Sequence, residues 1–427
     1  MLRVNMMRLG WESIIQEFGR LFHLLSETRF GYNSLTVKKT RRRIFLDHAS
    51  TTPLLPEVYS TVSSYLTNFF ANPSALYQEG VRTASELESL RRRVAKTLSA
   101  HSDEIVFTGS GTESDNLALF GVFEAARRRF PCPHFISSAI EHPAILEALR
   151  VIEKRGGKVT YLPVSRQGFI APGELARSLT AKTVLVSIMY ANNEIGTIQP
   201  IREITKVVRH FRKKKALKFF PYVHTDASQA ANYLSLSVPE LGVDLLTLDG
   251  SKIYGPKGVG ALFVRRTLAL AAQIVGGGQE RGLRSGTENL PAIAGFTLAL
   301  EIVQKDREDE SARLSALKRY FLEKLFDFFP SAELSGARER SLPNIVNVCF
   351  PGADAEFLVL QLDARGILAS ASSSCRTLAE NVRSYVIESL GKKHCSESSL
   401  RLSFGRSTTK RDIEALLQAL RQCLPHS

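Results

Sequence analysis

Long apolar runs are missing from this 427-residue chain. Lys, Arg, Asp or Glu breaks every apolar stretch before it reaches the roughly 18 to 20 residues that cross a bilayer, so no membrane span is expected. Cysteine is scarce: Cys132, Cys349, Cys375, Cys395 and Cys423 are an odd set with no CxxC or paired ligand spacing. That usage fits free thiols in a reducing compartment and no metal site. Acidic residues are outnumbered, 42 Asp and Glu against 56 Lys and Arg, for a formal charge of +14. The excess collects in Arg91-Arg92-Arg93, Arg127-Arg128-Arg129 and the stretch from Lys206 to Lys218. No aromatics interleave with these runs, so they read as solvated helix faces and direct nucleic-acid binding is not expected.

A hydrophobic content of 44% is enough for one large or two medium cores. Residues 1–43 form a distinct N-terminal extension with nine basic and three acidic residues, Trp11 and an apolar-periodic piece from Ile14 to Leu25. Glu12, Glu17 and Glu27 interrupt what would otherwise read as a mitochondrial transit segment, which is poor in acids, so an extra helix or an over-extended start is favoured and a transit segment, with mitochondrial localisation, is the alternative. From Ile44 onward, short apolar runs alternate with amphipathic segments, the pattern of a mostly parallel sheet covered on both faces. Expected strands are Ile105–Thr108, His134–Ser137, Val159–Leu162, Val184–Met189, Tyr222–Thr225, Leu245–Leu248 and Gly260–Val264. Expected helices include Thr83–Leu98, Thr112–Arg129, Pro143–Arg155 and Ile201–Phe211. Beyond about residue 305 a charged helix from Lys305 to Phe328, a strand-like Asn344–Phe350 and a helix from Lys410 to Cys423 indicate a smaller α+β domain. The expected division is a large domain of residues 56–305 and a small one of residues 44–55 with 306–427.

Five segments carry chemistry. Phe107-Thr-Gly-Ser-Gly-Thr-Glu-Ser-Asp-Asn116 runs from a strand into a helix, where small residues and unpaired N–H groups suit an anion; helix capping is the plain alternative. Asp226 ends an apolar run, where a carboxylate is costly to bury unless it meets a cation or donor, and Gln229 turns to the same face. Lys252 follows another strand end, in Asp249-Gly-Ser-Lys-Ile-Tyr-Gly-Pro-Lys-Gly. A lysine desolvated there loses its proton readily and becomes a nucleophile toward an aldehyde; a surface turn lysine is the plain alternative. His142 begins a helix and either stacks on a planar ring or caps the helix. Cys375 lies in Ala369-Ser-Ala-Ser-Ser-Ser-Cys-Arg-Thr, a small polar loop in which Arg376 favours the reactive thiolate.

Taken in order, and with Phe45-Leu-Asp-His-Ala-Ser-Thr-Thr-Pro53, Val184-Leu-Val-Ser-Ile-Met-Tyr-Ala-Asn-Asn-Glu-Ile-Gly196 and Arg401-Leu-Ser-Phe-Gly-Arg406, these segments resemble the cysteine desulfurases. These form a branch of the class V, fold-type I pyridoxal 5'-phosphate (PLP) enzymes, and the likeness is to their long cysteine-loop subgroup. The resemblance implies a PLP-dependent transferase of α/β class, with a mostly parallel seven-stranded sheet and a smaller α+β domain. It implies that Lys252 holds the cofactor aldehyde, Asp226 pairs with the ring nitrogen, Gln229 meets the ring oxygen and His142 stacks on the ring. Asn193 would lie beside cofactor and substrate. Gly111, Thr112 and Ser251 would bind the phosphate, with Thr287 reaching across from the other subunit of a homodimer. Arg401 would clamp the substrate carboxylate.

The implied reaction converts L-cysteine to L-alanine and leaves a persulfide on Cys375. The acceptor would be an iron–sulfur scaffold protein or a relay for tRNA thiolation, in the cytoplasm. Selenocysteine lyase, another class V aminotransferase reaction and a non-catalytic sulfur-pathway scaffold are the competing readings. Two positions depart from the pattern. Where the family usually has Ser and His flanking the glycine before the lysine, both as phosphate ligands, this chain has Asp249 and Ser251; Ser251 can still donate a hydrogen bond, but a carboxylate facing a phosphate repels it. Asp249 is therefore expected to point away, to pair with a cation or to be protonated.

Overall fold

The computed structural model describes residues 43–371 and 383–424. Numbered along the chain, the strands are β1 (Ile44–Phe45), β2 (Ile105–Thr108), β3 (His134–Ser138), β4 (Lys158–Leu162), β5 (Thr183–Ser187), β6 (Tyr222–Asp226), β7 (Leu245–Asp249), β8 (Gly260–Val264), β9 (Glu333–Leu334), β10 (Ile345–Cys349), β11 (Ile367–Leu368), β12 (Ser370–Ala371) and β13 (Ser399–Ser403). The seven apolar runs marked in the sequence, β2 to β8, form one sheet in the order β2-β8-β7-β6-β5-β3-β4. Strand β8 runs antiparallel to both neighbours and every other pairing is parallel. Strands β2 and β7 flank β8 and so point the same way as the parallel set. The carboxyl ends of β2, β3, β5, β6 and β7 therefore share one edge.

All residues of β2, β3, β5 and β8 are buried. A sheet covered by helices on both faces needs continuous apolar strands, which is why these runs do not alternate with polar residues. Successive side chains still serve opposite faces. Phe107 and Phe263 join the core shared with helix Gln78–Thr97, while Val106 and Leu262 join the core shared with helix Gly111–Arg127. Helix Ile201–Lys214 buries Ile201, Ile204, Thr205 and Val208, one stripe at helical spacing, and leaves Lys213, Lys214 and Lys215 in water.

Strands β12, β13, β10 and β9 form a second, antiparallel sheet, and β1 pairs in parallel with β11. Among the described residues no helix is long and apolar enough to cross a membrane.

Two expectations are corrected and one helix is added. Helix Leu290–Lys305, not marked in the sequence, precedes the expected charged helix, which spans Arg307–Phe328 and meets it at Asp306. The first is buried over most of its length, so it shows no polar face to mark it as amphipathic. The Arg91 to Arg93 run is not a solvated face throughout. Arg91 is buried, held by the Glu280 carboxylate at 2.6 and 2.8 Å, and Arg93 pairs with Glu301. The thiols are not all free: Cys349 and Cys395 form a disulfide, while Cys132 and Cys423 remain reduced. Pairing of β10 with β13 sets Cys349 opposite Ser399, four residues past Cys395, a proximity that linear spacing does not reveal.

Candidate active site

Open α/β sheets place ligands beyond the carboxyl ends of their strands, and here a cavity of about 310 Å³ lies there. Gly111 and Thr112 reach it after β2, His142 after β3, Asn193 after β5, Asp226 at the end of β6, and Asp249 and Lys252 at and after β7. Gln229 follows Asp226, and Ala49 and Ser50 follow β1. Arg401 enters from β13 of the second sheet. The cavity is thus built from both sheets.

Lys252 closes a short turn, Gly250–Lys252, capped by Asp249. Its Nζ donates to the carbonyl of Ser50, and the Thr52 hydroxyl donates to the carbonyl of Ser251 at 2.9 Å. The segment after β1 thereby fixes where the lysine head lies. Gln229 Nε2 donates to the carbonyl of Ala49 at 2.8 Å, and Asp226 Oδ1 accepts the Ser228 N–H at 2.9 Å.

His142 is both helix cap and cavity wall. Its Nδ1 accepts the Ala144 N–H at 3.2 Å, so in the neutral ring the proton sits on Nε2. Burial pushes its pKa below the ordinary 6.5, against the pull of nearby Asp226. A neutral imidazole is therefore available near pH 7.

Burial raises the pKa of two neighbouring carboxyls. Asp115, which lines the cavity, is held well above the carboxylate range by desolvation and then by the charge of Asp226. Its Oδ1 stands 3.6 Å from Nε2 of His224, whose own pKa burial lowers to about 3. Glu141, fully buried beside His142, is pushed up to about 8 and accepts the Met189 N–H at 3.0 Å.

Arg401 is 2% exposed. Its Nη1 donates to the Asn193 carbonyl at 3.2 Å, and its Nη2 to Asp47 at 3.0 Å and the Ser50 hydroxyl at 2.6 Å. Among the described residues, Asn193 Oδ1 and Arg401 Nε are buried atoms of cavity residues that make no hydrogen bond within the protein, which leaves them available to a ligand.

Of the expected site residues, Lys252, Asp226, Gln229, His142, Asn193, Gly111, Thr112 and Arg401 converge on the cavity. Ser251 does not line it, because its hydroxyl and N–H are turned to Asp249. Thr287 is exposed and away from this protomer's cavity. Cys375 lies outside the described residues, as do residues 1–42. Asp249, expected to point away, to pair with a cation or to be protonated, does not point away: it lines the cavity and accepts the Gly111 N–H at 2.9 Å. Asp115 and Ser50 lie within motifs read from the sequence but were not singled out; an acid in the first turns of an otherwise buried helix was the signal for Asp115.

The ring end of the site has the groups PLP needs: an amine, a carboxylate, a flat imidazole and amide side chains. The phosphate end already holds a carboxylate. Sheet order, lysine turn and strand-end aspartate together define a fold-type I PLP enzyme. The family model for aminotransferase class V matches residues 44–416. Cysteine desulfurase IscS of Dictyoglomus turgidum is 39% identical over 90% of this chain and 95% of its own length. A solved NifS-like protein superposes with a TM-score of 0.82 at 31% identity, covering 89% of this chain and 98% of the other. The NifS-like protein of Rickettsia africae gives 0.78 at 31% identity, covering 90% and 99%. The chain belongs to the cysteine desulfurase family of the class V aminotransferases, and its cofactor is PLP.

Proposed function

We propose that this chain is a cysteine desulfurase in which Lys252 binds the cofactor aldehyde and Cys375 accepts the sulfur. The observation that carries the reading is the convergence of Lys252, Asp226, His142, Asn193 and Arg401 on one cavity. When bound, the cofactor supplies a protonated ring that withdraws electrons from the substrate α-carbon. Asp226 would keep the proton on the ring nitrogen, Gln229 would meet the ring oxygen, and His142 would stack on the ring and exchange a proton at Nε2. Lys252 Nζ takes and returns the α-proton. Arg401 orients the substrate carboxylate, and Asn193 lies beside it. Thiolate Cys375 attacks the substrate sulfur, so L-cysteine and one enzyme thiol become L-alanine and an enzyme persulfide.

The same reading includes a cytoplasmic homodimer in which Thr287 of each subunit completes the other's phosphate site. Passage of the persulfide sulfur to an iron–sulfur scaffold protein or a tRNA-thiolation relay also belongs to it. The domain division at residues 55–56 and 305–306 sets Arg401 and Cys375 on a unit separate from the cofactor ligands. The test is spectroscopic and chemical. The purified protein should show an absorption band removed by borohydride and missing in Lys252→Ala. With L-cysteine and a thiol it should form alanine and sulfide, and Cys375→Ser should abolish the sulfide. A borohydride-sensitive band that persists in Lys252→Ala would overturn the assignment.

A further inference from the structure

Asp249 is hydrogen-bonded as an oxyanion. Oδ2 accepts the Gly111 N–H at 2.9 Å, while Oδ1 accepts the Ser251 N–H at 2.7 Å and the Ser251 hydroxyl at 2.6 Å. Gly111 opens helix Gly111–Arg127, so the carboxylate sits on the positive end of a 17-residue helix. The approach is tight: a Cβ at position 111 would lie 3.0 Å from both Cβ and Oδ2 of Asp249 and 3.1 Å from the Ser228 hydroxyl.

This is also the end of the cavity suited to a phosphate. The two cationic side chains that line the cavity, Lys252 and Arg401, are hydrogen-bonded to the Ser50 side of it. The hydrogen-bond partners of the Asp249 carboxylate are neutral groups of Gly111 and Ser251. A phosphate at the helix N-terminus would share the Gly111 donor with the Asp249 carboxylate.

We propose that Asp249 is an internal stand-in for the cofactor phosphate. Its carboxylate occupies the donors at the N-terminus of helix Gly111–Arg127, the phosphate binds by displacing it, and Asp249 thereby sets how strongly the site prefers PLP over unphosphorylated pyridoxal. The side chain satisfies the cradle when the cofactor is absent and opposes the phosphate when it arrives. Pyridoxal, with a neutral hydroxymethyl group at that position, meets no such competition.

The inference rests on the PLP reading, and the experiment keeps the two apart. Full-length wild type, Asp249→Ser and Asp249→Asn are stripped of cofactor and titrated with PLP and with pyridoxal, following the borohydride-sensitive band. Serine and asparagine both still cap the Lys252 turn. The expected result is PLP binding at least tenfold tighter in both variants, with pyridoxal Kd within twofold of wild type. Inorganic phosphate should compete with PLP at lower concentration in Asp249→Ser than in wild type. Unchanged or weaker PLP binding would overturn the proposal, as would equal loss of both ligands, which would assign Asp249 to shaping the turn. If no protein forms the band with either ligand, the cofactor reading fails instead.

Discussion

Arg401 and Asp47 meet at 3.0 Å, Nη2 to Oδ1, although 354 residues separate them in the chain. The guanidinium is buried, so the carboxylate, the Ser50 hydroxyl and the Asn193 carbonyl hold it in one orientation, with Nε unpartnered among the described residues. Orientation matters because a guanidinium reads a carboxylate with two parallel N–H groups, which an ammonium does not reproduce.

Arg401→Lys should raise the KM for L-cysteine by about 100-fold, the scale of a lost buried charge-assisted contact. PLP Kd should stay within threefold. Steady-state alanine formation and PLP titration check the split; an unchanged KM would remove Arg401 from substrate binding.

Arg91 and Glu280 form a bidentate pair whose side chains are 6% and 1% exposed, and Glu280 also accepts the Phe107 N–H at 2.8 Å. Glu280→Gln leaves the buried guanidinium with only the half-exposed Glu88 carboxylate at 2.8 Å and should cost about 3 kcal/mol. Urea unfolding measures it. Replacing both residues with methionine should recover much of that loss, because no unpaired charge remains.

Glu141 titrates near 8 in the fold against an ordinary 4.5. Below pH 4.5 folded and unfolded chains both hold the proton, and this group adds no pH dependence to stability. Between 4.5 and about 8 only the folded chain holds it, so stability falls as pH rises through that window, by up to about 1.4 kcal/mol per unit. Glu141→Gln has no proton to lose. Its urea midpoint should therefore gain on wild type from pH 5.5 to pH 8.5, and parallel pH profiles would refute the assignment.

The Cys349–Cys395 bond closes a span of 46 residues. Reduction should lower stability by about 2 to 4 kcal/mol, the entropy of a loop that size restored to the unfolded chain. Cys395→Ser should match reduced wild type in thermal melting and be insensitive to dithiothreitol. A melting temperature in wild type that ignores dithiothreitol would contradict the bond's role.

By itself, the sequence determined what depends on neighbours along the chain. The seven strands were legible because a doubly covered sheet demands continuous apolar runs, and turn residues mark where each one stops. The order of Gly111, His142, Asn193, Asp226 and Lys252 was legible because each follows a strand end, and strand ends on one edge converge. Three features turned on pairs far apart in the chain. Arg91 reads as one more surface arginine until Glu280 arrives beside it. Cys349 and Cys395 read as separate thiols until β10 pairs with β13. Asp249 was visibly out of place for a phosphate site, yet its direction depended on a backbone N–H 138 residues away at Gly111. Local periodicity carries no information about such contacts, because they arise only when the packed sheet sets the ends of β2 and β7 side by side across β8.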